Sequence, residues 1–126
     1  MMQIERIMLI DDDASIRKIA AVTLERVGKW QVKTADGGLS GLAMASEFKP
    51  DVILLDVMMP GMDGPATYKL LKEDPAVTNT PVIFMTAKVQ GQELESYSQL
   101  GVQGVISKPF NPLTLPAEIE ALVNGG

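Results

Sequence analysis

The chain has 126 residues, of which 46% are apolar and 21% charged, carries a net charge of −5, and contains neither cysteine nor histidine. Its length and composition predict one globular domain over residues 1–126, with a core over residues 5–123, and they exclude a disordered chain, a disulfide framework and imidazole chemistry. The acidic balance predicts no nucleic-acid partner, and the lack of an apolar run of roughly 20 residues predicts no membrane segment and a cytoplasmic location.

Five short apolar stretches are predicted strands. Residues 7–10 and 52–55 are apolar at every position, which is typical of strands buried on both faces of a parallel sheet. Residues 30–34 alternate instead, as expected of a strand nearer a sheet edge. Residues 81–85 and 102–106 complete the set.

The segments between these strands carry apolar residues at helical spacing. Gly28 is the predicted end of the first helix, Asp63 the predicted N-cap of the third, and the regular part of the fifth is predicted to begin near Thr114. Residues 90–100 are predicted to form the most exposed and mobile helix. Residues 90–100 have only three apolar side chains, Leu94, Tyr97 and Leu100. The predicted core-facing side chains of the other helices are Ile16, Ile19, Ala20, Leu24 and Val27, then Leu39, Leu42 and Ala43, then Thr67, Leu70 and Leu71, and finally Leu115, Ile119, Leu122 and Val123.

Strand and helix alternate along the whole length, which predicts a doubly wound α/β fold with right-handed crossovers between parallel strands. In such folds ligands bind where the carboxyl ends of the strands meet. The chemistry of the chain is therefore expected at that edge of the sheet.

Three carboxylates fall at this edge. Asp11 and Asp12 follow the first predicted strand and Asp56 ends the third, whereas Asp13 is better placed as the N-cap of the first helix. Three neighbouring carboxylates repel one another unless a cation is present or their pKa values shift. A small set of oxygen ligands, with room left for water and phosphate oxygens, describes a Mg²⁺ site.

Two further polar residues end the fourth and fifth predicted strands. Taken alone, Thr86 and Lys108 would be ordinary solvated boundary residues. Beside a cation and Asp56 they suit phosphoryl transfer, because a carboxylate can attack phosphorus while an ammonium and a hydroxyl neutralise the equatorial oxygens.

Four motifs stand at these strand ends: IMLIDD over residues 7–12, LLDVMMPGMDG over 54–64, MTA over 85–87 and SKPF over 107–110. Together they closely resemble the receiver domains of two-component signalling. The resemblance covers residues 5–123 and implies a flavodoxin-like three-layer sandwich, with a five-stranded parallel sheet in the order 2-1-3-4-5.

The resemblance also implies roles for individual residues. Asp56 would be the phosphoacceptor, and Asp12 and Asp56 would bind Mg²⁺ directly. Asp11 would act through water, and the backbone carbonyl of Met58 would supply a further ligand. Thr86 and Lys108 would contact the phosphoryl group, and the Lys108–Pro109 bond would be cis.

The family further implies partners and a mode of action. The phosphodonor would be a histidine kinase or phosphotransfer protein, and the phosphorylated chain would act on a downstream effector. Such a chain is not an enzyme for a separate substrate, because it promotes only its own phosphorylation and dephosphorylation. Met58 and Lys88, two residues after Asp56 and Thr86, would border the path of the hydrolytic water.

One position departs from the family pattern. Receivers usually have Tyr or Phe three residues before the lysine, and Val105 stands there in this chain. Many receivers report phosphorylation by a coupled movement of that ring and the threonine hydroxyl. Val105 therefore predicts a weaker response of residues 90–100 to phosphorylation.

Three other functions compete with this interpretation. Asp11-Asp12-Asp13 loosely matches the Asp-x-Asp motif of haloacid-dehalogenase phosphatases, but that class needs a further acidic pair on a strand end, and beyond Lys108 the acids are Glu118 and Glu120 of the last helix. A flavin or nucleotide binder would need a glycine-rich phosphate loop, and neither GxxxxGK[ST] nor GxGxxG occurs. An unphosphorylated interaction module is the third possibility, although every residue type of the active site is present.

Overall fold

The structure is a computed structural model that describes residues 3–87 and 91–125. Strands and helices alternate through it, as the sequence predicts. They are β1 (Arg6–Ile10), α1 (Ala14–Arg26), β2 (Gln31–Ala35), α2 (Gly38–Phe48), β3 (Val52–Asp56), α3 (Gly64–Glu73), β4 (Val82–Thr86), α4 (Gly91–Leu100), β5 (Gly104–Ser107) and α5 (Leu115–Glu120), and a π-helical turn (Ala121–Gly125) continues α5.

The five strands form one parallel sheet in the order β2-β1-β3-β4-β5, which confirms the predicted fold class and strand order. Ile10 on β1 is level with Leu55 on β3, and Thr86 on β4 is level with Ser107 on β5. The carboxyl ends of these strands therefore lie along one edge. None of the helices in the described ranges is long and apolar enough to cross a bilayer.

Helices cover both faces of the sheet and make two separate cores. Leu24 of α1 and Ile119 of α5 pack on one face, where they meet alternate residues of the central strands such as Leu54. Leu71 of α3 and Tyr97 of α4 pack on the other face. Because β1, β3 and β4 are covered on both sides, their side chains are almost fully buried, which explains their uninterrupted apolar sequence.

Helix starts follow the sequence prediction closely. Asp13 caps α1 by accepting hydrogen bonds from the backbone N–H groups of Ser15 and Ile16, and Asp63 caps α3 by accepting from Ala66. Both predicted N-caps are confirmed, as is the start of α5 after Thr114. A cap is a contact within one turn of chain, so the local sequence determines it.

The end of α1 differs from the prediction. The residue in the left-handed conformation is Lys29, with φ of 65°, and not Gly28. Gly28 is needed for space, because a Cβ there would lie 2.7 Å from the carbonyl oxygen of Leu24 and 2.9 Å from the ring of Trp30. Trp30 is buried and precedes β2, at the end of the strand remote from the acidic residues.

Several predicted core positions are wrong because the helices present other faces to the sheet. In α2, Leu39 is 74% exposed and Ala43 is exposed, while Gly38, Gly41 and Ala45 are buried. A Cβ on Gly41 would lie 2.6 Å from Ile10. Small residues therefore bring α2 close to β1, and the predicted Leu42 packs against the core while only partly buried. Ile19, Val27 and Leu70 are likewise exposed.

The remaining boundaries differ by a few residues. β5 begins at Gly104 rather than at Val102, and the π-helical turn extends past residue 123, the predicted end of the core, to Gly125. In α4 only Tyr97 is buried, in agreement with the prediction that this helix is the most exposed.

Candidate functional site

The centre of the site is a lysine held between two buried carboxylates. The Nζ atom of Lys108 lies 2.8 Å from Asp11 Oδ2 and 3.0 Å from Asp56 Oδ1. Asp11 follows β1, Asp56 ends β3 and Lys108 follows β5, so three strand ends meet at one ammonium group. Both carboxylates are almost completely buried.

Asp12 joins these acids from the exposed side of the site. One carboxylate oxygen from each of Asp11, Asp12 and Asp56 lies within 4.8 Å of the others. Asp11 Oδ2 is buried and, within the described ranges, receives no hydrogen bond of regular geometry, although the Lys108 ammonium is close to it. A cluster of three carboxylates that offers only oxygen ligands fits a hard divalent cation such as Mg²⁺.

The electrostatics reflect this crowding. The pKa of Asp56 is raised from 3.8 to about 6, and burial is the main cause. The hydrogen bond from Lys108 opposes this increase, and repulsion from Asp11 adds to it. Burial acts to lower the pKa of Lys108, but its contacts with Asp11 and then Asp56 outweigh burial and raise it. The raised pKa of Lys108 favours its ammonium form, and the raised pKa of Asp56 lies closer to neutral pH than that of an ordinary aspartate.

Thr86 ends β4, the strand that pairs with β3, and Met58 lies two residues after Asp56. Thr86 is buried at the end of β4, and its carbonyl oxygen accepts a hydrogen bond of 2.9 Å from the Lys108 backbone N–H. The Met58 backbone N–H lies 3.4 Å from Asp56 Oδ1 and donates to it. The Lys108–Pro109 peptide bond is cis, as predicted.

The loop after Asp56 is fixed by close backbone packing. Gly64, the first residue of α3, donates a backbone hydrogen bond of 3.0 Å to the Val57 carbonyl. A Cβ on Gly64 would lie 2.7 Å from both the Asp56 carbonyl oxygen and the Val57 Cα atom. The start of α3 therefore rests directly on the backbone of the strand that carries Asp56.

One supporting residue was not predicted. Arg17 Nη1 donates a hydrogen bond of 2.8 Å to the Asp11 carbonyl oxygen and so holds the acidic loop against α1. The available signal was the position of Arg17 four residues after Asp13, on the first turn of α1.

Lys88, predicted to border the path of the hydrolytic water, lies outside the described residues.

The family model of the response regulator receiver domain matches residues 7–120. The chain therefore belongs to the response regulator receiver domains, and the predicted resemblance is confirmed. Membership of this family favours the receiver interpretation over the phosphatase and the flavin binder. The roles assigned to individual site residues remain predictions.

Named relatives and solved structures agree with this family. The chain is 34% identical over 118 residues to the DNA-binding dual master transcriptional regulator RpaA of Synechocystis sp., covering 94% of this chain and 48% of that protein. It is 40% identical over 125 residues to the response regulator PleD of Caulobacter vibrioides, covering 93% of this chain and 26% of that protein. The chain thus spans about half, or less, of the length of these relatives.

Among solved structures, the chemotaxis protein CheY4 of Vibrio cholerae is similar to this chain with a TM-score of 0.88 at 31% identity. The similarity covers 95% of this chain and 99% of that one. The N-terminal domain of a response regulator receiver protein from Methanoculleus marisnigri is similar with a TM-score of 0.77 at 32% identity.

Proposed function

We propose that this receiver domain accepts a phosphoryl group on Asp56 from a phosphohistidine of a histidine kinase or phosphotransfer protein, and that phosphorylation changes its interaction with a downstream effector. The observation that carries the proposal is the position of Asp56. Its carboxylate is buried at the end of a central strand, 3.0 Å from an ammonium and beside two further acids.

The chemistry follows from the groups around this carboxylate. An Asp56 oxygen forms the new O–P bond, the P–N bond of the donor breaks, and the electron pair goes to the donor nitrogen, which is protonated. The Lys108 ammonium and the Thr86 hydroxyl neutralise the charge on the equatorial oxygens. The Met58 backbone N–H, already directed at Asp56, adds a donor.

A divalent cation is the remaining requirement. Asp12 and Asp56 would hold Mg²⁺ directly, Asp11 through water, and the Met58 carbonyl would complete the protein ligands. Bound there, Mg²⁺ neutralises negative charge on the phosphoryl oxygens. Because Lys108 contacts Asp11 and Asp56 in this structure, its ammonium would share these carboxylates with a bound ion.

The rim of the site supports a protein as the phosphodonor. A cavity of about 170 Å³ next to Lys108 is lined by side chains of α1 and of the loop before α5. Ile19 of α1 is 50% exposed there, which leaves an apolar surface beside the carboxylates. The apolar lining residues are Ile16, Ile19, Pro109, Phe110 and Pro112.

The test is incubation with Mg²⁺ and acetyl phosphate, followed by intact mass measurement. Wild type is expected to gain one phosphoryl group and Asp56→Asn none. Asp13→Asn is the matched control, because it also removes one carboxylate from this end of the sheet while an asparagine keeps the helix cap. This control is expected to be labelled like wild type.

Two outcomes contradict the proposal. Equal labelling of wild type and Asp56→Asn would place the phosphoryl group on another residue. Labelling mapped to Asp11 by peptide mass would favour the phosphatase mechanism, in which the first acid of the run is the nucleophile.

A further inference from the structure

An open cleft of about 570 Å³ lies between the loop after β3, the start of α3 and α4. It adjoins the phosphoacceptor but faces away from the rim formed by α1. Its lining side chains are apolar except for the Asp63 carboxylate and the Tyr97 hydroxyl. The lining residues are Val57, Met58, Met59, Pro60, Asp63, Pro65 and Tyr97.

One wall of the cleft is formed by the exposed and flexible side chain of Met58. The Met58 side chain is 65% exposed although its neighbours Val57 and Met59 are buried. Leu94, one turn before Tyr97 on α4, is 39% exposed and extends the apolar surface. Exposed methionine adapts to the shape of an incoming side chain, and contiguous exposed apolar surface is typical of interaction sites.

The opposite wall is rigid. Tyr97 is nearly buried and packs edge-on against Phe84, with ring centroids 5.2 Å apart and an interplanar angle of 83°. Phe84 in turn packs edge-on against Tyr68 of α3, at 5.8 Å. Within residues 3–87 and 91–125 the Tyr97 hydroxyl has no hydrogen-bond partner. The cleft therefore offers an occupant one polar group on a fixed aromatic ring.

The charge of the cleft is negative. Asp63 is exposed and caps α3 through Oδ1, which accepts from Ala66 N at 2.9 Å, so Oδ2 is available to a cation. Glu93 is exposed on α4, four residues before Tyr97 and on the same side of the helix. The chain as a whole carries a net charge of −5. An occupant with positive charge is complementary to this surface.

We propose that this cleft docks a basic segment of a partner protein, with an apolar anchor between Met58 and Tyr97 and a Lys or Arg beside Asp63 and Glu93. The cleft also shares a loop with the phosphoacceptor, since the Met58 N–H donates to Asp56 Oδ1. Phosphorylation and docking are therefore coupled; that coupling, unlike the docking, rests on the proposed function.

The test uses a 16-residue amphipathic peptide of Leu and Lys, and its counterpart with Glu in place of every Lys, titrated into ¹⁵N-labelled protein. The Lys peptide is expected to shift the amides of residues 57–66 and 91–97, and the Glu peptide is not. Pro65→Lys and Pro65→Glu lose the same proline and gain opposite charges. Pro65→Lys is expected to bind the Lys peptide about tenfold more weakly than Pro65→Glu.

Asp63→Asn provides a second variant that keeps the helix cap and removes the charge, and weaker binding of the Lys peptide is expected. The proposal is overturned if the shifts concentrate on α1 or α5, if both peptides bind alike, or if the two Pro65 variants bind equally. Concentration-dependent shifts of the cleft without peptide would instead make it a self-association surface and also overturn the proposal. Phosphorylation is read separately by intact mass, so failed labelling counts against the proposed function alone.

Discussion

In the cation-free protein, burial raises the pKa of Asp56 to about 6, from 3.8 for an unperturbed group. The stability that this group contributes is fully present below about pH 4 and is lost as the pH rises through about 6, because the folded state then holds a buried carboxylate that the unfolded state solvates. An increase in pKa from 3.8 to about 6 corresponds to about 3 kcal/mol of stability.

Asp56→Asn removes this titration. In EDTA, the free energy of unfolding of the variant relative to wild type is expected to increase between pH 4 and pH 7 by about 2–3 kcal/mol and to stay level above pH 7. Urea unfolding at a series of pH values measures this difference, and titrations shared by both proteins cancel. Saturating Mg²⁺ is expected to shrink the difference, because the ion binds the folded wild type. A difference independent of pH would show that Asp56 is not the titrating group.

At the scale of one element, α1 begins inside the acidic run. Asp13 Oδ1 accepts from Ser15 N at 2.8 Å and from Ile16 N at 3.3 Å, whereas Asp12 belongs to the carboxylate cluster. Asp13→Ala is expected to lower the free energy of unfolding by about 1 kcal/mol and to keep phosphorylation. Asp12→Ala is expected to abolish both Mg²⁺ binding and phosphorylation.

Amide shifts during titration with Mg²⁺ measure metal binding, and intact mass after incubation with acetyl phosphate measures phosphorylation. Urea unfolding measures the change in stability. Asp13→Asn, which retains the cap, is expected to match wild type in stability. Loss of Mg²⁺ binding in Asp13→Ala would show that the metal ligands within the acidic run are wrongly assigned.

The helices also show which features the sequence could predict. The caps at Asp13 and Asp63 are local contacts, and the sequence placed both correctly. The buried face of α2 depends on how closely Gly41 approaches Ile10 of β1. The sequence of α2 alone does not determine that distance. Apolar spacing alone therefore selected Leu39, which is exposed.

At the scale of the molecule, Val105 lies beside Phe84 across β4 and β5 and is only partly buried. The Tyr97 ring of α4 contacts Phe84 directly and anchors that helix to the sheet. Phosphorylation, or a phosphoryl mimic with Mg²⁺, is therefore expected to shift amides near Met58 and Thr86 strongly and those of residues 91–100 only modestly. Phosphorylation shifts the conformational equilibrium of α4 only through contacts that differ between its two states, and Val105 lacks the ring that would make such a contact.

Val105→Tyr is expected to enlarge the response of α4, because a ring there can follow a movement of the Thr86 hydroxyl. Backbone amide shifts with and without the mimic, recorded for both proteins, measure the change. A large rearrangement of α4 in wild type, no smaller than in the variant, would show that the switch operates without an aromatic residue at this position.

Much of the site could also be predicted at this scale, because strand order determines which chain segments meet. Asp11, Asp56 and Lys108 are far apart in sequence, yet parallel pairing of β1, β3 and β4 with β5 at the edge brings their strand ends together. The double contact of Lys108 and the hydrogen bond from Arg17 to the Asp11 carbonyl could not be predicted. They depend on side-chain directions across separate elements.

Gly64 is a position where the fold tolerates no side chain. Its side chain has no functional group, but a single added methyl group would collide with the backbone of Asp56 and Val57 and push β3 away from α3. Gly37 has an extended backbone, and a Cβ there meets nothing within 4 Å. A larger side chain therefore fits at Gly37 and not at Gly64. A residue without a functional group can thus be constrained as strictly as the carboxylate of Asp56 that it supports.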